Sequence, residues 1–247
     1  MAVSKVRRAR AATVVERLAR EYPGTAASLC ALHHDGTFQL LVATILSAQT
    51  TDERVNMVTP ELFKTFPTAE ALAVAPEEQV EEIIRSTGFF RSKTRSLIGM
   101  ARRLEDRFGG QVPADMDDLT SLPGVGRKTA NVVRSVGMDL PGLPVDTHVG
   151  RLARRLDLSS ETDPDKVEAD LSALVASEEW GKLSLRLILH GRAVCLARRP
   201  RCEECVLVDI CPSAPLFLGA SPAKPRRAKR PAPHQAEDDT VPPKRAR

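Results

Sequence analysis

Two side chains in the middle of the chain are a natural pair for covalent chemistry. Lys128 lies in Leu122-Pro-Gly-Val-Gly-Arg-Lys-Thr-Ala-Asn-Val-Val133, and Asp146 follows eighteen residues later in Val145-Asp-Thr-His148. A neutral lysine amine is a nucleophile, and a carboxylate beside it can stabilise a developing positive charge. The stretch around Lys128 reads as a short helix, a tight turn and the start of a second helix, with Leu122 to Gly126 as the turn. Gly124 and Gly126 are expected to let the backbone take positive φ and approach a partner closely. The first amides of the second helix lack intrahelical partners, so such a start attracts phosphate. Asp146 precedes another helical run and would also serve as a helix cap.

A second constellation is Cys195-x6-Cys202-x2-Cys205-x5-Cys211. Four thiolates within seventeen residues can surround one centre, and thiolate-only ligation suits zinc or an iron–sulfur cluster. Coordination chemistry alone does not choose between them. Arg198, Arg199 and Arg201 stand in the first loop, where they could offset thiolate charge or face phosphate. Cys30, far from the others, reads as a small buried apolar residue.

These groups must be positioned by helices. Apolar residues recur at helical spacing from Ala11 to Glu21, and Phe38 to Gln49 is apolar nearly all round, as a central helix would be. Thr51 and Thr68 are placed to cap, and Pro76 suits a first turn. Further helices are expected from Arg91 to Phe108, Asp115 to Ser121, Val149 to Leu156, Pro164 to Ala176 and Leu183 to Cys195. No alternating strand pattern appears. The expectation is an all-α fold of ten to twelve helices.

Composition bounds the partners. The net charge of +4 is carried by the region from Ala220 on, which has eight Lys/Arg against three Asp/Glu, so the remainder is near −1. DNA affinity would therefore have to come from local patches. Residues 220–247, rich in Pro, Ala, Lys and Arg without periodicity, are expected to be a disordered basic tail. No run of eighteen apolar residues exists and no apolar signal core follows the basic N-terminus, so no membrane partner and a cytoplasmic location (nucleoid-associated, if bacterial) are expected.

The three motifs, in this order and spacing, resemble the endonuclease III family of DNA glycosylases. Leu122 to Val133 is similar to its helix-hairpin-helix, Val145 to His148 to its catalytic aspartate motif, and the cysteine spacing to its [4Fe-4S] loop. Leu41 to Asp52, with Ser47-Ala-Gln-Thr50, is similar to its lesion-reading helix. The resemblance implies a two-lobed helix-hairpin-helix DNA glycosylase fold with a C-terminal [4Fe-4S] loop. A six-helix lobe would span 30–140, and a discontinuous cluster lobe would combine 1–29 with 141–219.

The implied activity is bifunctional: removal of oxidised pyrimidines from duplex DNA, followed by cleavage at the abasic site. Lys128 would attack the sugar C1′ of an extruded nucleotide and form a Schiff base that leads to β-elimination. Asp146 would stabilise positive charge on the sugar. The attack needs a neutral amine, which the helix start and an expected partial burial of Lys128 would favour. DNA contacts are implied for Leu122, Gly124, Gly126, Arg127 and Thr129 of the hairpin, and gap-filling or base-probing roles for Gln49, Phe89 and His148. The metal ligands would be Cys195, Cys202, Cys205 and Cys211. The partner is damaged duplex DNA, met by a monomer. An adenine-mismatch glycosylase of the same superfamily is the nearest alternative, but it usually lacks the lysine and carries a catalytic glutamate near the position of Thr44. A non-catalytic DNA-binding module is the other alternative; Lys128 and Asp146 together argue against it. His190-Gly-Arg192 resembles a family run just before the cluster and receives no catalytic role.

Overall fold

The computed structural model describes residues 4–219, and the expected basic tail, 220–247, lies outside them. Among the described residues there are thirteen α-helices and no strand. They are α1 (Lys5–Glu21), α2 (Ala26–Leu29), α3 (Gly36–Leu46), α4 (Asp52–Thr65), α5 (Ala69–Ala73), α6 (Glu77–Ile84), α7 (Phe90–Phe108), α8 (Met116–Thr120), α9 (Arg127–Val132), α10 (Thr147–Arg155), α11 (Pro164–Ser172), α12 (Trp180–Ala193) and α13 (Pro215–Leu218). The count exceeds the expected range because α2 and α13 are single turns, too short to show a period.

Local chemistry accounts for six of the thirteen helix starts among the described residues, through side-chain caps. Thr51 accepts from the Arg54 amide at 3.3 Å, Thr68 from the Ala71 amide at 3.2 Å, and Asp163 from the Asp165 and Lys166 amides at 3.0 and 3.1 Å. Each satisfies donors that the helix itself leaves open. α7 ends at Gly109 in the left-handed region, with its amide bonded to Leu104 O. The helix after the hairpin is shorter than its apolar pattern suggests. α9 stops at Val132 and the backbone widens into a π-type turn, Val133–Gly137. That turn ends with Gly137 against α3, where a Cβ would come within 2.9 Å of Leu40.

Two cores organise the chain. The first is built from residues between Leu32 and Val133, with α3 in its middle and Leu40 to Leu46 all buried. The second takes Ala11, Val14 and Leu18 from α1 and then residues from Leu143 to Leu207, chiefly on α10, α11 and α12. A small cluster of Ala26, Leu40, Val136 and Leu185 joins elements of both. Truncating a fully buried leucine such as Leu41 or Leu152 should cost about 2–5 kcal/mol. Two ion pairs also cross between the cores: Arg127 of α9 with Glu168 of α11 at 2.7 Å, and Arg192 of α12 with Asp52 of α4 at 2.7 Å. The chain thus leaves the second core after α1, builds the first, and re-enters the second at Leu143, just ahead of Asp146.

Candidate nucleic-acid interface and metal centre

The hairpin begins with α8, whose start Asp115 caps through its carboxylate, accepting from the Asp117 amide at 2.8 Å and the Asp118 amide at 3.1 Å. Those bonds hold the Asp115 carboxyl below the usual carboxylate range. The two turn glycines differ in what requires them. Gly124 has φ +79°, and a Cβ there would lie 2.7 Å from Ser96 Cβ, so both backbone and space exclude a side chain. Gly126 has φ −96° and a Cβ there would meet nothing within 4 Å. The expected positive φ at Gly126 is therefore absent, and the fold itself does not demand glycine there.

α9 starts from Gly126 without any side-chain cap, unlike α4, α5, α8, α10 and α11. Its first amides are left for an outside acceptor. Lys128, in that first turn, is exposed, which corrects the expected partial burial. Arg127 is committed within the protein: its guanidinium makes a two-pronged contact with Glu168, at 2.9 and 2.7 Å, and Asn131 reaches the same carboxylate at 2.9 Å. The Leu122 side chain is buried, so only its backbone is available to a ligand. Thr129 is half-buried.

Asp146 lies at the start of α10. Its Oδ1 accepts from the His148 amide at 2.8 Å and the Val149 amide at 2.9 Å, and its Oδ2 is 3.1 Å from His148 Nδ1. The cap fixes the carboxylate, and the carboxylate in turn orients the imidazole. The His148 ring is held at Nδ1 by Asp146, and its Cβ lies against Gly191. Lys128 and Asp146 line one open pocket of about 480 Å³, with Val145, Thr147, Gly150 and Arg154. The amine comes from an element of the first core and the carboxylate from the second, so the pocket sits where the two meet.

Gln49 and Phe89 rim another pocket, of about 290 Å³, together with Gly124 of the hairpin. Both are exposed, Phe89 at 69%. Both adopt φ in the left-handed region, +54° for Gln49 and +47° for Phe89, which costs such residues about 1–3 kcal/mol. A large apolar side chain held out in water on strained backbone is not explained by packing.

The four cysteines line a third cavity, with Leu152, Leu156, Leu207 and Ala214 among its walls. Burial raises the Cys205 thiol to about 11 and pushes up Cys202 and Cys211. Among the described residues, no group of three or more His, Cys, Asp or Glu is arranged to hold a single metal ion. Four sulfurs around one cavity are the all-thiolate donor set that an iron–sulfur cluster takes.

Groups that sequence reasoning passed over also face these sulfurs. Arg155 Nη1 lies 3.2 Å from Cys195 Sγ, and His190 Nε2 lies 3.2 Å from Cys205 Sγ. Tyr22 OH is 3.2 Å from the other His190 nitrogen. Burial lowers His190 to about 4, so the ring is neutral at pH 7. Arg198 and Arg199 are exposed and make no such contact, so Arg155, not the loop arginines, meets a sulfur. Only the partial run His190-Gly-Arg192 hinted at this; Tyr22 and Arg155 had no sequence signal.

Comparison with known proteins identifies the family. The model of the HhH-GPD superfamily of base excision DNA repair proteins matches residues 42–177, and that of the iron–sulfur binding domain of endonuclease III matches residues 195–211. The chain belongs to the endonuclease III family. Endonuclease III of Synechocystis sp. (strain PCC 6803) is 50% identical over 206 residues, spanning 83% of this chain and 93% of that protein. Endonuclease III of Escherichia coli (strain K12) is 39% identical over 180 residues, spanning 73% and 85%. A solved non-covalent endonuclease III–DNA complex superposes with a TM-score of 0.80 at 36% identity, covering 88% of this chain and 99% of that one.

The family member is a base-excision-repair DNA glycosylase with AP lyase activity, and its C-terminal domain carries a [4Fe-4S] cluster. Thr44, where the adenine-mismatch relatives would place a glutamate, is buried and donates its hydroxyl to Leu40 O at 2.7 Å. No helix among the described residues is long and apolar enough to cross a membrane.

Proposed function

We propose that the glycosylase and lyase chemistry is carried out at the Lys128–Asp146 pocket, on an oxidised pyrimidine nucleotide extruded from duplex DNA. Lys128 Nζ attacks C1′, the base departs, and the resulting Schiff base leads to loss of the 3′ phosphate by β-elimination. Asp146, locked by the cap, stabilises the positive charge that builds on the sugar. Lys128 is exposed in the free protein, and DNA closing over the pocket would exclude water from it. The uncapped start of α9 supplies phosphate contacts that position without reading sequence. Gln49 and Phe89 occupy the gap left by the nucleotide, Phe89 as an apolar wedge. The enzyme acts as a monomer on chromosomal DNA.

The observation that carries this reading is the shared pocket: an amine and a carboxylate from opposite sides of the junction face one space. In the same reading the lobes divide as 30–140 and as 1–29 with 141–219, which places the substrate across the junction. Cys195, Cys202, Cys205 and Cys211 would hold the cluster, which when bound supplies a covalent tie across the 195–211 loop. The test is a duplex bearing one oxidised pyrimidine. Base release coupled to strand cleavage is expected; binding without either would leave a DNA-binding module only.

A further inference from the structure

Lys93 is a buried lysine that the chemistry above does not use. It lies in the first turn of α7 and is 6% exposed. Its ammonium donates to Leu46 O at 2.8 Å, to Thr50 Oγ1 at 2.7 Å and to Thr87 O at 2.8 Å. An ammonium has three protons, and all three are used. Burial lowers its pKa from the ordinary lysine range, so the charge is held there at a cost.

The acceptors are not scattered. Leu46 and Thr50 flank Gln49 on either side, and Thr87 lies two residues before Phe89. Thr50 also donates its hydroxyl to Thr87 O, closing the link between the two loops. One cation therefore grips the bases of two loops whose exposed tips, Gln49 and Phe89, both sit in the left-handed region. Lys93 itself lines the pocket those tips rim. A helix that needed only to pack here could use an apolar residue without burying a charge. What an apolar residue cannot do is bond three carbonyl and hydroxyl oxygens from two loops at once.

We propose that Lys93 is a positioning residue for lesion capture: by bonding Leu46, Thr50 and Thr87 together, it sets the spacing and backbone conformation of the Gln49 and Phe89 loops. The inference rests on the reading of those two residues as occupants of the gap left by the nucleotide. Lys93 touches no reacting atom, so its effect falls on recognition of a damaged site in a duplex, not on the covalent step.

The experiment compares Lys93→Met, Thr50→Val, Gln49→Ala and Phe89→Ala in the full, cluster-loaded chain. One readout is the ratio of affinities for a duplex with a reduced, uncleavable abasic site and for an undamaged duplex. The other is the rate of borohydride trapping on an aldehydic abasic site in a single strand, where no gap in a duplex has to be filled. Gln49→Ala and Phe89→Ala should lower the ratio. Lys93→Met should lower it about tenfold or more, the loss expected for charged hydrogen bonds left unmade. Thr50→Val should lower it less, in the same direction, and single-strand trapping should stay at the wild-type rate. Lys93→Met combined with Phe89→Ala should lose less than the two losses added.

If Lys93→Met does not fold, Thr50→Val decides. Folded variants at Lys93 and Thr50 with an unchanged ratio would overturn the proposal while Phe89→Ala still lowered it. A single-strand trapping rate that fell in step with the ratio would also overturn it, because the damage would then be general. An unchanged ratio in both Gln49→Ala and Phe89→Ala would instead remove the base-probing reading on which the proposal stands.

Discussion

The cleft pocket and the cysteine cavity are built in opposite ways. In the cleft, the groups are placed by two helix starts, α10 capped by the protein itself and α9 left open. Asp146 is fixed by the amides of α10, Arg127 is tied to Glu168, and Lys128 projects from α9 into open space. In the cysteine cavity, the loop from 195 to 211 has no α-helix of its own and few buried residues. It is held by side chains from outside: Arg155 at Cys195 Sγ, Leu196 O and Ala197 O, Arg151 at Cys195 O, His190 at Cys205 Sγ, and Arg17 at Val206 O and Asp209. The first site needs only its substrate to be complete. The second is a set of half-buried thiols, with Cys202, Cys205 and Cys211 pushed up by desolvation, which a cationic cluster would hold as thiolates. In the proposed reading, the first carries the chemistry and the second ties down the 195–211 loop.

Breaking the second site should have the largest effect on the fold. Cys205→Ala should lose iron and sulfide together and leave the 195–211 amides open to hydrogen exchange, while helices of the first core stay protected. Uniform loss of protection in both cores would show that the two are not separable in this way.

Breaking the first site should spare the fold. Asparagine caps about as well as aspartate, so Asp146→Asn should change stability by no more than about 0.5 kcal/mol. Base release should nevertheless fall about a hundredfold or more, the scale for losing one preorganised electrostatic contact. A melting temperature that dropped along with the rate would mean the carboxylate is chiefly a cap.

The hairpin glycines sharpen the comparison further. Gly124→Ala meets both a positive φ and Ser96, and should destabilise by about 1–3 kcal/mol. Gly126→Ala meets nothing in the protein and should melt near wild type, yet in the proposed reading bind DNA more weakly, because a Cβ there would keep a phosphate from the open start of α9. Thermal melts and binding isotherms of the two variants check this; equal losses of stability would contradict it.

The smallest effect concerns how α1 is held to the second core. Arg10 and Arg7 bond Asp157 at 2.8 and 2.9 Å and hold its carboxyl below the usual carboxylate range. Because the folded state lowers this pKa, its stabilising contribution is present above the ordinary carboxylate range and is lost as pH falls through the folded value. The carboxylate is half exposed, so the contribution is small. Asp157→Asn, which tolerates the left-handed φ of +50°, should lose a small part of the acid dependence of Tm below about pH 4.

Much of the fold was legible because it is written in local chemistry. Thr51 and Thr68 mark helix starts through bonds three residues long, and Gly109 marks an end. The motif residues Lys128 and Asp146 lie on one pocket, and the four cysteines on another. What could not be read depends on contacts far apart in sequence. Lys93 looks like any lysine near a helix start until Leu46, Thr50 and Thr87 are seen around it. Arg127 reads as a phosphate contact until Glu168, forty-one residues on, occupies it. His190 gains its meaning from Tyr22, 168 residues away. The exposure of Lys128 is likewise not written locally, because it depends on what the second core brings over the first turn of α9.

One measurement tests the central claim most directly. The protein is incubated with an oxidised-pyrimidine duplex and borohydride, and the covalent adduct is mapped by peptide sequencing. The account predicts an adduct on Lys128 and none with Lys128→Ala, with the melting temperature of that variant unchanged. An adduct of wild-type yield with Lys128→Ala, or one mapped to another lysine, would contradict it.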